Sequence, residues 1–137
     1  MSSVSKLVTL IGAILIAGAS FSNESVCPKI ERIRGLGISM TEIIAPSLYL
    51  SYQINNYNTD STWGFFIAPV VAENDSQAIE VSNHVLSSMM SPGVPEEHAG
   101  VIICGYKTGQ SDLVAAAIKD GDSVTPALLK QYFSKRH

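Results

Sequence analysis

The sequence predicts an α+β domain, in which an antiparallel sheet of about four strands carries helices packed on one face. Three observations support this fold class. Alternating or continuous apolar residues mark two strand pairs, one at residues 47–71 and one at residues 100–119. Helix-start and helix-stop residues mark further segments before, between and after these pairs. The resulting order is α-β-β-α-β-β-α, with short polar turns inside each pair.

The first helix and the first strand pair fill the segment from residue 27 to residue 71. Cys27-Pro28 opens the helix, because proline is tolerated in a first turn, and the glycines that follow end it. From Ser47 the apolar period is two, which predicts a half-buried strand with Tyr52 facing the core and Tyr49 facing away. A polar turn follows, and residues 63–71 form the second strand.

The second half of the chain carries the other helices and strands. These are a long helix at residues 75–90, strands at 100–107 and 113–119, and a last helix from Thr125. Asn74 and Gln77 have the spacing of a capping box at the start of the long helix. Residues 91–95 break the chain with two prolines and a glycine. Thr125 is the expected N-cap of the last helix, with Pro126 in its first turn.

The N-terminal segment is typical of an export signal. Lys6 precedes an apolar run at residues 7–17, and Ala17-Gly18-Ala19 supplies the small residues that precede a cleavage site. A membrane-spanning helix needs about 20 apolar residues, so a retained anchor is the less favoured alternative. We expect residues 1–19 to be a signal peptide. Residues 20–137 then form a single exported domain, periplasmic or secreted, without stable membrane insertion.

Export affects how the two cysteines are interpreted. Disulfides persist in oxidising compartments, and Cys27 and Cys104 allow one intramolecular bridge. A catalytic or redox thiol is the alternative. Neither cysteine belongs to a C-x-x-C motif, and the apolar residues around Cys104 predict a buried strand, where a thiol is unreactive. We therefore expect a structural disulfide between Cys27 and Cys104.

Charge and motifs argue against nucleic-acid binding and against catalysis. The 137 residues carry 9 Lys plus Arg against 12 Asp plus Glu, and the cations form no patch that would neutralise phosphates. The chain holds no G-x-S-x-G nucleophile motif. His98 follows Glu96 and Glu97, a group that can hold a metal or share a proton but is also typical of a solvated turn. We expect no enzyme activity, no catalytic residue and no metal site.

The tyrosines and methionines are residue types that contact porphyrin rings. Tyr49, Tyr52 and Tyr57 lie in or just after the first strand, and Met89 and Met90 end the long helix. Tyr, His and Met side chains also ligate haem iron. Aromatic residues on strands more often pack against neighbouring strands, which is the alternative interpretation. No dedicated haem motif such as C-x-x-C-H is present.

A series of short segments occurs in a fixed order along the mature chain. The segments are Cys27-Pro28, Leu48 to Ile54, Gln53 to Asp60, Trp63-Gly64-Phe65, Ile67-Ala68-Pro69 and Gln131-Tyr132-Phe133. This series resembles a small family of exported bacterial proteins of unknown function, with members called hemin-binding proteins. The resemblance implies a hemin-binding protein that contributes to haem and iron acquisition. The resemblance does not indicate which residues would bind the ligand.

Tyr49 and His84 are the expected hemin-binding residues. A porphyrin needs an apolar slot for its ring, often with a Tyr, His or Met at the iron. Tyr49 is predicted to face away from the core, so its hydroxyl is the expected surface ligand. His84, on the polar side of the long helix, is the second choice. The alternative function is a small exported interaction protein that binds no cofactor.

Overall fold

The computed structural model describes residues 26–119 and 125–136, which form an α+β fold. Its elements are α1 (Ile30–Leu36), β1 (Met40–Ala45), β2 (Leu48–Asn55), β3 (Trp63–Val71), α2 (Asp75–Ser87), β4 (Val94–His98), β5 (Val101–Tyr106), β6 (Val114–Lys119) and α3 (Pro126–Arg136). The fold class is confirmed. The expected count of about four strands and the expected order were wrong, because β1 and β4 were not predicted. The predicted signal peptide lies outside the described residues.

The six strands form one antiparallel sheet in the order β1-β2-β3-β6-β5-β4. α1 and α2 each precede a three-stranded meander, and the two meanders join through β3 and β6 at the centre. In this central pair Phe65 lies opposite Ala117 and Phe66 opposite Ala116. The small side chains of β6 leave room for the aromatic rings of β3. β1 and β4 are the two edges.

Helices cover both faces of the sheet, so the expectation of helices on one face was wrong. α1 and α2 pack on one face, over Tyr49, Phe65 and Cys104. α3 packs on the other, where Leu129 shares a core with Phe66. Successive residues of a strand point to opposite faces, so a strand covered on both sides is buried throughout. A strand with one solvent-exposed face was expected, and the centre of this sheet has no such face.

The two missed strands lack the pattern that identifies a strand. All the side chains of β1 stay at least partly exposed, and its adjacent Ile43 and Ile44 break the alternation. β4 contains Pro95 and two glutamates, and most of its side chains are exposed. Proline and charge are typical of edge strands because they discourage pairing with another chain. Residues 94–98, which were predicted to lie in a chain break and the loop after it, therefore form an edge strand.

The predicted capping residues start the helices as expected. Asn74 Oδ1 accepts a hydrogen bond from the backbone N of Gln77 at 2.8 Å, and Thr125 Oγ1 accepts one from the N–H three residues later at 3.2 Å. α2 ends at Ser87, earlier than the predicted Met90. The two methionines after α2 thus belong to the connection that leads to β4. None of the described helices has the length and apolar character needed to cross a membrane.

Candidate ligand-binding site

Two links to β5 hold the start of α1 against the sheet. Cys27 and Cys104 form a disulfide with their Cα atoms 5.8 Å apart, which confirms the predicted bridge. Tyr106, further along β5, donates its hydroxyl proton to the carbonyl oxygen of Pro28. All four residues are buried. Cys27 and Pro28 therefore cannot leave the sheet without breaking part of the core.

Tyr106 also positions the connection between α2 and β4. Its ring packs edge-on against Phe65, with ring centroids 5.7 Å apart. The ring also lies close to Gly93, where an added Cβ would be 2.7 Å from Tyr106 Cζ. That distance is far inside van der Waals contact, so the close approach requires a glycine. The start of α1 and the segment around Gly93 are thus brought together at one tyrosine.

A mainly apolar groove of about 330 Å³ lies between these two segments. Its apolar lining, which we call the proline groove, consists of Pro28, Ile30, Met90, Pro92, Gly93 and Pro95. Met90 is 67% exposed, and Arg34 Nη1 lies 3.0 Å from its Sδ. Arg34 also donates a hydrogen bond of 2.8 Å to the carbonyl oxygen of Met89. The thioether is therefore held at the groove while solvent reaches it.

A second groove of about 370 Å³ shares Cys27 and Lys29 with the proline groove. We call it the polar groove, because Arg32 and the turn between β2 and β3 complete its lining. Lys29 and Arg32 are exposed, and neither side chain has a hydrogen bond or an ion pair within residues 26–119 and 125–136. Asp60 is the carboxylate of this groove. Two cations against one carboxylate favour an anionic ligand here.

The turn that borders the polar groove is fixed by its own side chains. Asn55 Oδ1 accepts a hydrogen bond from the Tyr57 backbone N at 2.9 Å. Trp63 Nε1 donates one to Thr59 Oγ1 at 3.0 Å. Tyr57 and Asn58 both have positive φ, at 51° and 63°, which is uncommon for residues other than glycine. The Tyr-Asn-Thr-Asp segment of the resemblance thus builds one wall of this groove.

Burial changes the acidity of several tyrosines. The pKa of Tyr57, which lines the polar groove, is raised well above its usual value because the phenol is buried. Burial also raises the pKa of Tyr106, and the nearby Tyr57 adds to that shift. The pKa of Tyr52 is raised by burial and, to a smaller extent, by Glu42. The folded protein therefore disfavours the phenolate form at these positions.

We expect the free energy of unfolding to fall as the pH rises above about 10. In the unfolded chain these phenols ionise near pH 10, whereas the folded state keeps them protonated to higher pH. Their contribution to stability is complete below that pH and is lost above it. Phenolate absorbance should show Tyr57 and Tyr106 ionising together with the loss of circular dichroism. A Tyr57→Phe, Tyr106→Phe variant with an unchanged pH dependence of stability would contradict this assignment.

The structure separates both expected hemin ligands from the grooves. Tyr49 is 6% exposed and lies in the core beneath the helices, opposite Val70, so the expectation of a surface position was wrong. The reason is that helices cover the face that was assumed to be exposed. Tyr52 lies on the opposite face from Tyr49, as predicted, and is also buried. His84 is exposed on α2, as predicted, but neither it nor Tyr49 lines either groove.

His98 and Glu96 form an exposed pair on β4, with His98 Nε2 2.8 Å from Glu96 Oε1. They lie two residues apart on a strand, so their side chains share one face, while Glu97 belongs to the other. Among the described residues, no group of three or more His, Cys, Asp or Glu side chains could hold a metal ion. Within this segment, His98 and Glu96 therefore form a local side-chain contact.

Sequence reasoning missed the residues that line the grooves. Lys29 and Arg32 were counted among cations that form no patch, and residues 91–95 were assigned to a chain break. The predicted disulfide was the one long-range signal, since it places Cys27 beside β5. Finding the proline groove also required the β4–β5 hairpin, which carries Pro95 next to Cys104. Without β4 the sequence offered no reason to bring the proline-rich segment to α1.

Comparisons with known proteins give one match. Residues 26–132 match a family described as a domain of unknown function, DUF4949. No curated protein and no solved structure matches the chain. The matched range begins just before the disulfide-bonded Cys27 and runs into α3, so it includes every residue that lines the two grooves.

Proposed function

The chain belongs to the DUF4949 family, whose description names no function, and we propose that it is an exported, non-enzymatic protein that binds hemin and contributes to haem and iron acquisition. The match confirms the expected family of unknown function but gives no support to the name hemin-binding protein. The Cys27–Cys104 disulfide is compatible with an exported protein. One structural observation carries the hemin proposal, which is the proline groove with Met90 in its lining.

The proline groove has the apolar lining and the donor atom that a porphyrin requires. Small-molecule pockets measure about 300–1,000 Å³ and are mainly apolar, with a few polar groups that orient the ligand. A groove of about 330 Å³ takes part of a porphyrin ring and leaves the rest outside it. Met90 supplies a thioether, one of the side-chain groups that ligate haem iron. Because Met90 is 67% exposed, its sulfur can bind a ligand without disturbing the core, provided that Arg34 Nη1 releases Sδ.

Met90 therefore takes the place of Tyr49 as the proposed iron ligand. The Tyr49 side chain is almost fully buried, and exposing its hydroxyl would require α2 to leave the sheet. His84 remains the second candidate because it is exposed on α2. In this proposal hemin is the cargo of the protein, and the chain's own residues bind and orient it.

Titration of the purified mature protein with hemin should give a saturable shift of the Soret band. Met90→Leu keeps an apolar side chain of similar volume and removes the sulfur, so it should change the shifted spectrum and weaken binding roughly tenfold, about 1.4 kcal/mol. Tyr49→Phe is the matched control, because it removes only a buried hydroxyl and should leave the spectrum unchanged.

Two outcomes of this titration would change the proposal. The absence of any saturable shift at micromolar hemin would reject hemin binding. A spectrum altered by His84→Gln and not by Met90→Leu would move the iron ligand to α2.

A small exported interaction protein without a cofactor is the second candidate function. Met90 and Val94, which are 67% and 59% exposed, place apolar side chains at or beside the proline groove. Clustered exposed apolar side chains are typical of surfaces that contact other proteins. β4 itself is a poor template for an added strand, because Pro95 has no N–H to donate. A protein partner on this side of the molecule would therefore use the groove and not the β4 edge.

A further inference from the structure

Positive charge is concentrated on and beside α1. Lys29, Arg32 and Arg34 lie within six residues, in a chain whose formal net charge is −3. Arg34 is engaged with the two methionines after α2. Lys29 and Arg32 are exposed and have no partner in the part of the chain that the structure describes. Two cations held next to a groove and left unpaired are available to a ligand.

We propose that Lys29 and Arg32 bind the carboxylate groups of an amphipathic ligand whose apolar part lies in the proline groove. Lys29 lines both grooves, so a single ligand that extends from one groove into the other passes its ammonium group. Arg32 lines the polar groove and presents a planar guanidinium, which binds carboxylates with two parallel hydrogen bonds. This inference rests on the proposed function, since hemin carries two propionates beside its apolar ring.

The carboxylates near the site do not cancel its positive charge. Asp60 lines the polar groove, where Ser61 Oγ donates a hydrogen bond of 3.2 Å to its Oδ1. Glu31 lines the proline groove. Lys29, Arg32 and Arg34, which contacts Met90, give the site three cations. The site thus has more cations than carboxylates. The site should therefore prefer a dianionic ligand over a neutral one of the same shape, and the preference should shrink at high salt because the cations are exposed.

Hemin and its dimethyl ester, in which both propionates are esterified, test this inference. Wild type should bind hemin more tightly than the ester. An exposed ion pair contributes about twofold to fivefold in affinity, so Lys29→Gln with Arg32→Gln should weaken hemin binding about tenfold and leave ester binding unchanged. Lys130→Gln is the matched control, because Lys130 lies on α3 at the opposite face of the sheet. It should bind both ligands like wild type.

The outcomes separate this inference from the proposed function. If the double variant binds hemin as tightly as wild type, or loses hemin and ester equally, the carboxylate site is wrong while hemin binding stands. If wild type shows no saturable Soret shift with either ligand, the proposed function and this inference both fail. Circular dichroism should confirm that the variants are folded, as expected for exposed side chains without hydrogen bonds.

Discussion

Replacing Cys27 and Cys104 together with alanine is expected to lower the free energy of unfolding by about 4 kcal/mol. The bridge joins residues 77 apart in sequence, and closing so long a loop removes much of the conformational entropy of the unfolded chain. Alanine is apolar and smaller than cysteine, so it adds no polar group and no steric clash at the two buried positions. Urea unfolding of both proteins, followed by circular dichroism, measures the difference. The denaturant slope should also rise, because the unfolded chain without the bridge exposes more surface.

Reduction provides the control for this prediction. Wild type unfolded in the presence of dithiothreitol should lose about as much stability as the double variant, and the variant itself should not respond to the reductant. A difference below about 1 kcal/mol between wild type and variant would contradict the expected role of the bridge.

The disulfide also matters for the proposed site. α1 has seven residues, too few for an isolated helix to be stable in water, so it depends on its contacts with the sheet. Cys27 lines both grooves, and the bond from Tyr106 to Pro28 is the second link that holds this segment. Loss of the bridge should therefore loosen both grooves. Hemin binding to the double variant should be weaker than to wild type under conditions where the variant is still folded.

Central elements could be predicted from the sequence because burial imposes a pattern on them. β2, β3, β5, β6 and the three helices occur near their predicted positions, since their apolar spacing and their caps reflect one local environment. β1 and β4 could not be predicted, because an edge strand is partly solvated. Its apolar and polar residues therefore do not alternate regularly. The packing of α3 on the other face of the sheet was not predicted, for a related reason. A strand buried on both faces does not reveal from its sequence which face a helix covers.

The candidate site was harder to predict than the fold. Its lining comes from three segments that are distant in sequence, around Lys29, around Asn58 and around Pro92. The disulfide joins the first of these to β5, which was foreseen, but the register of β4 on β5 was not. Exposed residues such as Lys29 and Met90 carry no burial signal at all. Only their positions in the folded chain show that they border a groove.

Leu129→Ala tests the arrangement of helices on both faces and is expected to destabilise the protein by about 3 kcal/mol. Leu129 is fully buried between α3 and the sheet, in the core that contains Phe66. Phe133, one turn further along α3, packs edge-on against Phe66 with ring centroids 6.3 Å apart. Truncating Leu129 removes its buried methyl groups and leaves a cavity that the surrounding rings cannot fill. Chemical unfolding of the disulfide-intact protein measures the loss.

Gln131→Ala is the matched control on the same helix. Gln131 is exposed, so its replacement should change the free energy of unfolding by less than about 0.5 kcal/mol. If α3 did not pack on the sheet, the two alanine variants would behave alike, and Leu129→Ala would cost no more than Gln131→Ala. A large cost for Leu129→Ala alone would establish that the sheet needs cover on this face. It would also explain why Leu50, Tyr52 and Phe66, on the face away from α1 and α2, are all apolar.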